Sequence, residues 1–349
     1  MHPRYLHIEQ VKQTMKKLGF IAACALTLLL GACNKEVSDN FNIYTGHPLN
    51  DTVWVRNVPS TASIHELISL LTPDVIVDSF ETSKDTTMKY GDSLEVVFTA
   101  GSCVNSGSSA AVTGKVKMEL VRLKKKGDFI KTFTPTTSNG SVLEAANAFF
   151  LRISKDNREL TLAPGTTVKI RFADTTDPKP NMQVFNGRES NPLPLLGIDT
   201  SFTWMRDNDT SYINTFQKQG QTGIVIKGYE MIAKNLRWVG AERFSDSTRA
   251  KAKITAILPP NYTNKNTVAF AVFADQRTVV QMKADFNSRS FAASNIPVGT
   301  KLKIVTVSKI GDALYLGTRD VNDVGTAVYY SITPNKTSLK DILAFINGL

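Results

Sequence analysis

Histidine is the scarcest chemically versatile residue in this chain: there are four among 349 residues, and His2 and His7 lie ahead of the first apolar run. His47 and His65 remain, neither with a second histidine or a cysteine at ligand spacing, which argues against a histidine-based zinc site. The same shortage leaves a serine or cysteine nucleophile without a base, and no G-x-S-x-G elbow exists to present one. No Walker loop, dinucleotide fingerprint or H-E-x-x-H occurs either. Cysteine is equally sparse. Of the three, Cys24 and Cys33 belong to the N-terminal leader and its end, so Cys103 stands alone and offers no intramolecular disulfide. Flanked by Ser102 and Val104, it reads as a small buried residue. Long apolar runs are missing too. The run over residues 18–30 falls short of the roughly 20 residues that a membrane-spanning helix needs.

That run ends in Leu30-Gly31-Ala32-Cys33, which has the form of a bacterial lipobox: a large aliphatic residue, two small ones, and the cysteine that takes the lipid. Lys16 and Lys17 supply the positive flank of a signal peptide. The polar residues 1–14 have no place in such a signal, and Met15 is the natural start. The expectation is a signal peptide over 1–32, lipidation at Cys33, and a polar, Asn-rich tether over 33–50. The rival is an uncleaved inner-membrane anchor with a chance cysteine.

The formal net charge is +10, spread along the chain without a long basic block. Its densest patch, Arg122-Leu123-Lys124-Lys125-Lys126-Gly127-Asp128, reads as the solvated end of a hairpin. Nucleic-acid binding needs a basic face with base-reading or stacking partners, and is not expected. Weak attraction to anionic polysaccharide is compatible with the excess.

Periodicity points to an all-β chain built as tandem antiparallel β-sandwiches with short capping helices. Thr52-Val53-Trp54-Val55 reads as a short strand. Ser63 and Glu66 form a capping box, and Ile64, Leu67, Ile68 and Leu71 recur at helical spacing, giving a helix over 63–72. Short β runs follow: Val116, Met118 and Leu120 alternate with charged neighbours, and Asn139-Gly140 and Pro164-Gly165 mark turns. A first sandwich is expected over 51–174. Residues 175–245, with Pro178, Pro180, Pro192 and Pro194, read as a loop-rich connector containing some strands. A second sandwich follows over 246–349, where Ala252, Ile254, Ala256 and Leu258 alternate with Lys251, Lys253 and Thr255. Ser338 and Asp341 then cap a terminal helix over 338–347.

The lipobox, Met182-Gln183-Val184-Phe185-Asn186-Gly187 and Leu236-Arg237-Trp238-Val239-Gly240-Ala241-Glu242-Arg243-Phe244 together resemble Bacteroidota outer-membrane lipoproteins that carry no catalytic assignment. Ile296-Pro297-Val298-Gly299-Thr300 is similar to the turn of prealbumin-like and carboxypeptidase-regulatory-like sandwiches. The resemblance implies a lipid-anchored outer-membrane protein, surface-exposed in preference to periplasm-facing. Asp85-Thr86-Thr87 and Asp246-Ser247-Thr248 resemble the short O-glycosylation sequon of that phylum.

No enzyme and no cofactor are expected. A carboxylate-only glycan hydrolase is the one catalytic alternative, because two acids need be close only in space. Asp207-Asn208-Asp209 and Asp320-Val321-Asn322-Asp323 could offer oxygen ligands to calcium, but such clusters between strands are mostly turns, and no metal is expected. The candidate ligand-binding residues are Trp204 and Arg206, since a ring in a polar stretch can stack on a pyranose. The leading expectation is a surface binding or adhesion module for glycan or protein, held to a membrane by its N-terminal lipid. A periplasm-facing scaffold subunit of an envelope complex is the alternative.

Overall fold

Alternation at a period of two dominates the sequence beyond residue 75, and a computed structural model answers it with 22 strands and three α-helices among the described residues. Those residues are 51–174, 176–189, 202–208, 211–220, 223–245 and 248–349. The signal, Cys33 and tether readings lie outside them.

In chain order the first strands are β1 (Ile76–Glu81), β2 (Thr86–Lys89), β3 (Leu94–Phe98), β4 (Cys103–Asn105), β5 (Lys115–Leu123), β6 (Thr137–Ser138) and β7 (Ser141–Lys155). There follow β8 (Arg158–Leu162), β9 (Val168–Ala173), β10 (Gln183–Arg188), β11 (Thr203–Arg206), β12 (Tyr212–Gln219), β13 (Val225–Ala233) and β14 (Arg237–Phe244). The last eight are β15 (Lys251–Ile257), β16 (Thr267–Phe273), β17 (Val279–Asp285), β18 (Ser290–Pro297), β19 (Leu302–Ile310), β20 (Ala313–Val321), β21 (Ala327–Ser331) and β22 (Asn335–Thr337). The helices are α1 (Ser63–Leu70), α2 (Lys126–Lys131) and α3 (Leu339–Asn347).

The first sandwich packs a sheet of order β1-β5-β7-β14-β10-β11 on a second of order β12-β13-β9-β3-β2. Between them lie Phe80, Met118, Leu120, Phe149 and Leu151 from one sheet and Val96, Phe98, Ile170, Phe172 and Tyr229 from the other. Cys103 is fully buried in this core, as its neighbours suggested. Residues 175–245 are not a connector. β10 and β14 join the first sheet and β13 joins the second, with Trp238 opposite Phe150 and Tyr229 opposite Phe172. The first sandwich thus runs on to Phe244, because its sheets are completed by strands distant in sequence.

The second sandwich is one eight-stranded sheet, β21-β15-β18-β17-β16-β19-β20-β22, folded over on itself. β17 makes the corner: residues 279–282 pair with β16, and 283–285 with β18. Its inner face buries Ile254, Ala256, Ala271, Met282, Phe291 and Ile304. All its pairings are antiparallel except β15 with β21.

The two sandwiches share a middle layer. Val121, Phe150, Trp204 and Trp238, on the outer face of the first, meet Val268, Phe270, Val305 and Val307 of the second, with Ile64, Leu67, Ile68, Phe129 and Ile342 from the helices filling in. β16 is covered on both faces, so all seven of its residues are buried and its sequence, Thr267-Val268-Ala269-Phe270-Ala271-Val272-Phe273, shows no polar alternation.

Three local expectations change. Residues 52–55 form no strand. Instead Trp54 is buried against the second sandwich, and the Asn264 amide brackets Val55, accepting from its N–H (3.2 Å) and donating to its carbonyl (2.6 Å). A side chain there supplies the bonds a neighbouring strand would have made. The Ser63–Glu66 capping box is absent: Ala62 is the N-cap, the Ser63 hydroxyl donates to the Lys309 carbonyl (2.9 Å), and Glu66 pairs with the Lys309 ammonium (3.0 Å). The Ser338 cap does form, accepting from the Asp341 N–H at 3.1 Å. Finally, the basic patch 122–128 is no hairpin tip. It leaves β5 for α2, and Arg122 turns inward to donate to Asn147, Ser93 and the Ala173 carbonyl at 2.9–3.1 Å.

Candidate functional site

Asn139-Gly140 closes a two-residue hairpin between β6 and β7, with Ser138 opposite Ser141. Both loop residues have positive φ (46° and 82°), the conformation such a turn demands and the reason asparagine and glycine stand there. The turn is held from two sides. The Asn139 N–H donates to the Thr203 hydroxyl (3.0 Å) on β11, and the Asn295 amide of β18 donates across to the Gly140 carbonyl (2.9 Å).

Between this turn and the outer face of β17 and β18 lies a groove of about 680 Å³. One wall is Thr137, Asn139 and Thr203. The other is Gln281, Lys283, Asp285 and Asn295, with Phe286 at the hairpin beyond β17. Lys253 and Asp285 form an ion pair at 3.3 Å, and the Ser288 N–H, donating at 3.2 Å, is the main influence holding the Asp285 carboxyl below the usual range. Phe286 is 40% exposed, with the Arg56 guanidinium 5.6 Å from its ring centre. The register across the outer face runs Lys283, Ala292, Thr255, Tyr329, so small side chains separate the groove from a tyrosine that is 72% exposed.

The site offers neutral amides and hydroxyls that both donate and accept, one fixed charge pair, and aromatic surface at the rim. That is the inventory for holding a polyhydroxylated ligand.

The sequence-selected residues lie elsewhere. Trp204 is fully buried, edge-on to Phe202 (5.1 Å) and Trp238 (6.5 Å) in the shared middle layer, so it cannot stack on a sugar. Its polar neighbours misled because β11 alternates, with Trp204 facing the core. Arg206, exposed at the end of β11, does not line the groove. Asp207 accepts from Asn186 (3.0 Å) and Ser211 (2.7 Å), Asp320 pairs with Lys303, and Asp209 lies outside the described residues. Among the described residues no cluster of three or more acidic, histidine or cysteine side chains is arranged to hold a metal ion. The groove was not legible in sequence, because its walls come from segments as far apart as Thr137 and Asn295. Only the Asn139-Gly140 turn signalled it.

Comparison of the chain with known protein families, with curated proteins and with solved structures gives no match.

Proposed function

We propose that this chain is a lipid-anchored cell-envelope protein acting as a non-catalytic surface module that binds glycan in the groove between its two sandwiches. The lipobox at Leu30–Cys33 supports the anchor. The observation that carries the binding reading is the groove's combination of Asn139, Gln281 and Asn295 amides with the exposed Phe286 ring. Sugars present hydroxyls at their edges and C–H groups on their faces. Amides meet the first bidentately, and an aromatic ring covers the second.

Affinity electrophoresis of the full chain against a panel of neutral and acidic polysaccharides tests this. Retardation by at least one polymer is expected. The double variant Phe286→Ala/Gln281→Ala, whose side chains lie at the groove, abolishes it without unfolding the protein. No retardation by any polymer, or equal retardation of the variant, overturns the glycan reading. Protease shaving of intact cells, with Cys33→Ala as the unanchored control, tests the address. Cleavage without lysis is expected.

A further inference from the structure

The basic stretch 124–126 lines a cleft of about 440 Å³, separate from the groove, where the first sandwich, the β16–β17 loop and the end of α3 meet. Most of its acids are already engaged. Glu144 is paired with both Lys179 and Arg243, and Asp174 with Arg277 at 3.1 Å. The lysines of the 124–126 stretch are not matched in this way. Lys125 donates to the Asn347 carbonyl (3.1 Å), and Lys126 to the carbonyls of Phe273 (2.6 Å) and Ala274 (2.9 Å). Those acceptors are neutral, so they orient the ammonium groups without cancelling their charge. The Lys124 ammonium makes neither hydrogen bond nor ion pair among the described residues. Among the described side-chain carboxylates of the lining, Asp275 is the one without such a partner.

The electrostatics agree with the geometry. Burial lowers the Lys124 pKa, and the neighbouring Arg122 and Arg277 push it the same way, with Asp174 opposing. Burial also lowers that of Lys126, with Asp275 opposing and Arg277 adding. Cations gathered in a recess repel one another, and an anion placed among them relieves both that repulsion and the lost hydration.

We propose that this cleft is a binding site for a phosphomonoester dianion on a small sugar or polyol, with Lys124 and Lys126 around the phosphate. A volume of this size suits a phosphorylated monosaccharide, and Thr176 and Gln276 stand in the lining to meet its hydroxyls. Among the described residues no aromatic ring lines the cleft, so nothing there would stack a nucleobase. The proposal does not depend on the groove.

Isothermal titration of the full chain in mild detergent, at constant ionic strength, decides it. The probes are glucose 6-phosphate, glucose 6-sulfate, inorganic phosphate and glucose. Glucose 6-phosphate is expected to bind tightest, the singly charged sulfate ester more weakly, and glucose not at all. Lys124→Gln weakens glucose 6-phosphate about tenfold, the size of one lost charge-assisted contact, while exposed Lys340→Gln leaves it unchanged. The Lys124 ammonium holds no other group among the described residues, and its backbone N–H bond to Asp128 survives the substitution, so the variant is expected to melt with the parent, and a scan confirms this before titration. Equal binding of ester and glucose, tighter binding of the sulfate, or unchanged affinity in Lys124→Gln overturns the site. Inorganic phosphate matching glucose 6-phosphate overturns the sugar contact.

Discussion

The Trp54 ring lies against that of Phe291, centroids 5.1 Å apart and tilted by 52°, so a residue near the start of the described chain is buried in the second sandwich. The contact spans the sequence. Asp51 with Lys265, and Val55 with the Asn264 amide, fasten the same segment. Trp54→Ala should cost about 3–5 kcal/mol, the range for emptying a buried large aromatic. Guanidinium unfolding of the full chain measures it, and a cost below about 1 kcal/mol would show the segment to be a loose appendage.

Glu242 lies fully buried on β14, where the register against β7 shifts, and neither of its carboxyl oxygens has a hydrogen-bond partner among the described residues. Burial pushes its carboxyl well above the usual carboxylate range. The folded protein therefore keeps a proton that the unfolded chain releases near its ordinary value of 4.5. Stability is unaffected by this group below that pH. As pH rises beyond it, stability falls by about 1.4 kcal/mol per unit until the folded group ionises. Glu242→Gln should flatten that slope, and urea midpoints measured from pH 4 to 8 on both proteins test it. Parallel slopes would mean that the carboxyl is ionised and partnered.

Gly127 on α2 sits directly beneath the backbone of Ile346 on α3, and a β-carbon there would collide with the Ile346 carbonyl. The glycine is set by contact with a neighbouring helix, and its φ is not positive. Gly127→Ala should displace α3 and destabilise the protein by about 1–3 kcal/mol, the scale of overpacking in a tight core. Amide exchange over 339–347 would speed up before the sheets do. Unchanged protection there would place the strain elsewhere.

Much of the fold was legible because its elements are local. The alternation of Val116, Met118 and Leu120, the stripe of Ile64, Leu67, Ile68 and Leu71, and the Asn139-Gly140 turn each announce themselves within a few residues. The strands between 183 and 244 did not, since prolines and asparagines around them resemble linker composition. Their partners β7 and β9 lie tens of residues upstream, and pairing of that kind leaves no periodic trace. Arg122 to Asp128 has the composition of a solvated tip whether it meets water or a neighbouring layer. The Ser63 cap failed for a similar reason: Lys309, far away in sequence, competes for both Ser63 and Glu66.

The groove's walls belong to different sandwiches, yet the layer behind them is packed by Phe150, Trp238, Phe270 and Val305 as one continuous solid. The gap between Asn139 and Gln281 is set when the protein folds, so a ligand entering it has no domain motion to wait for and little ordering entropy to lose. Association of a ligand there should follow a single exponential.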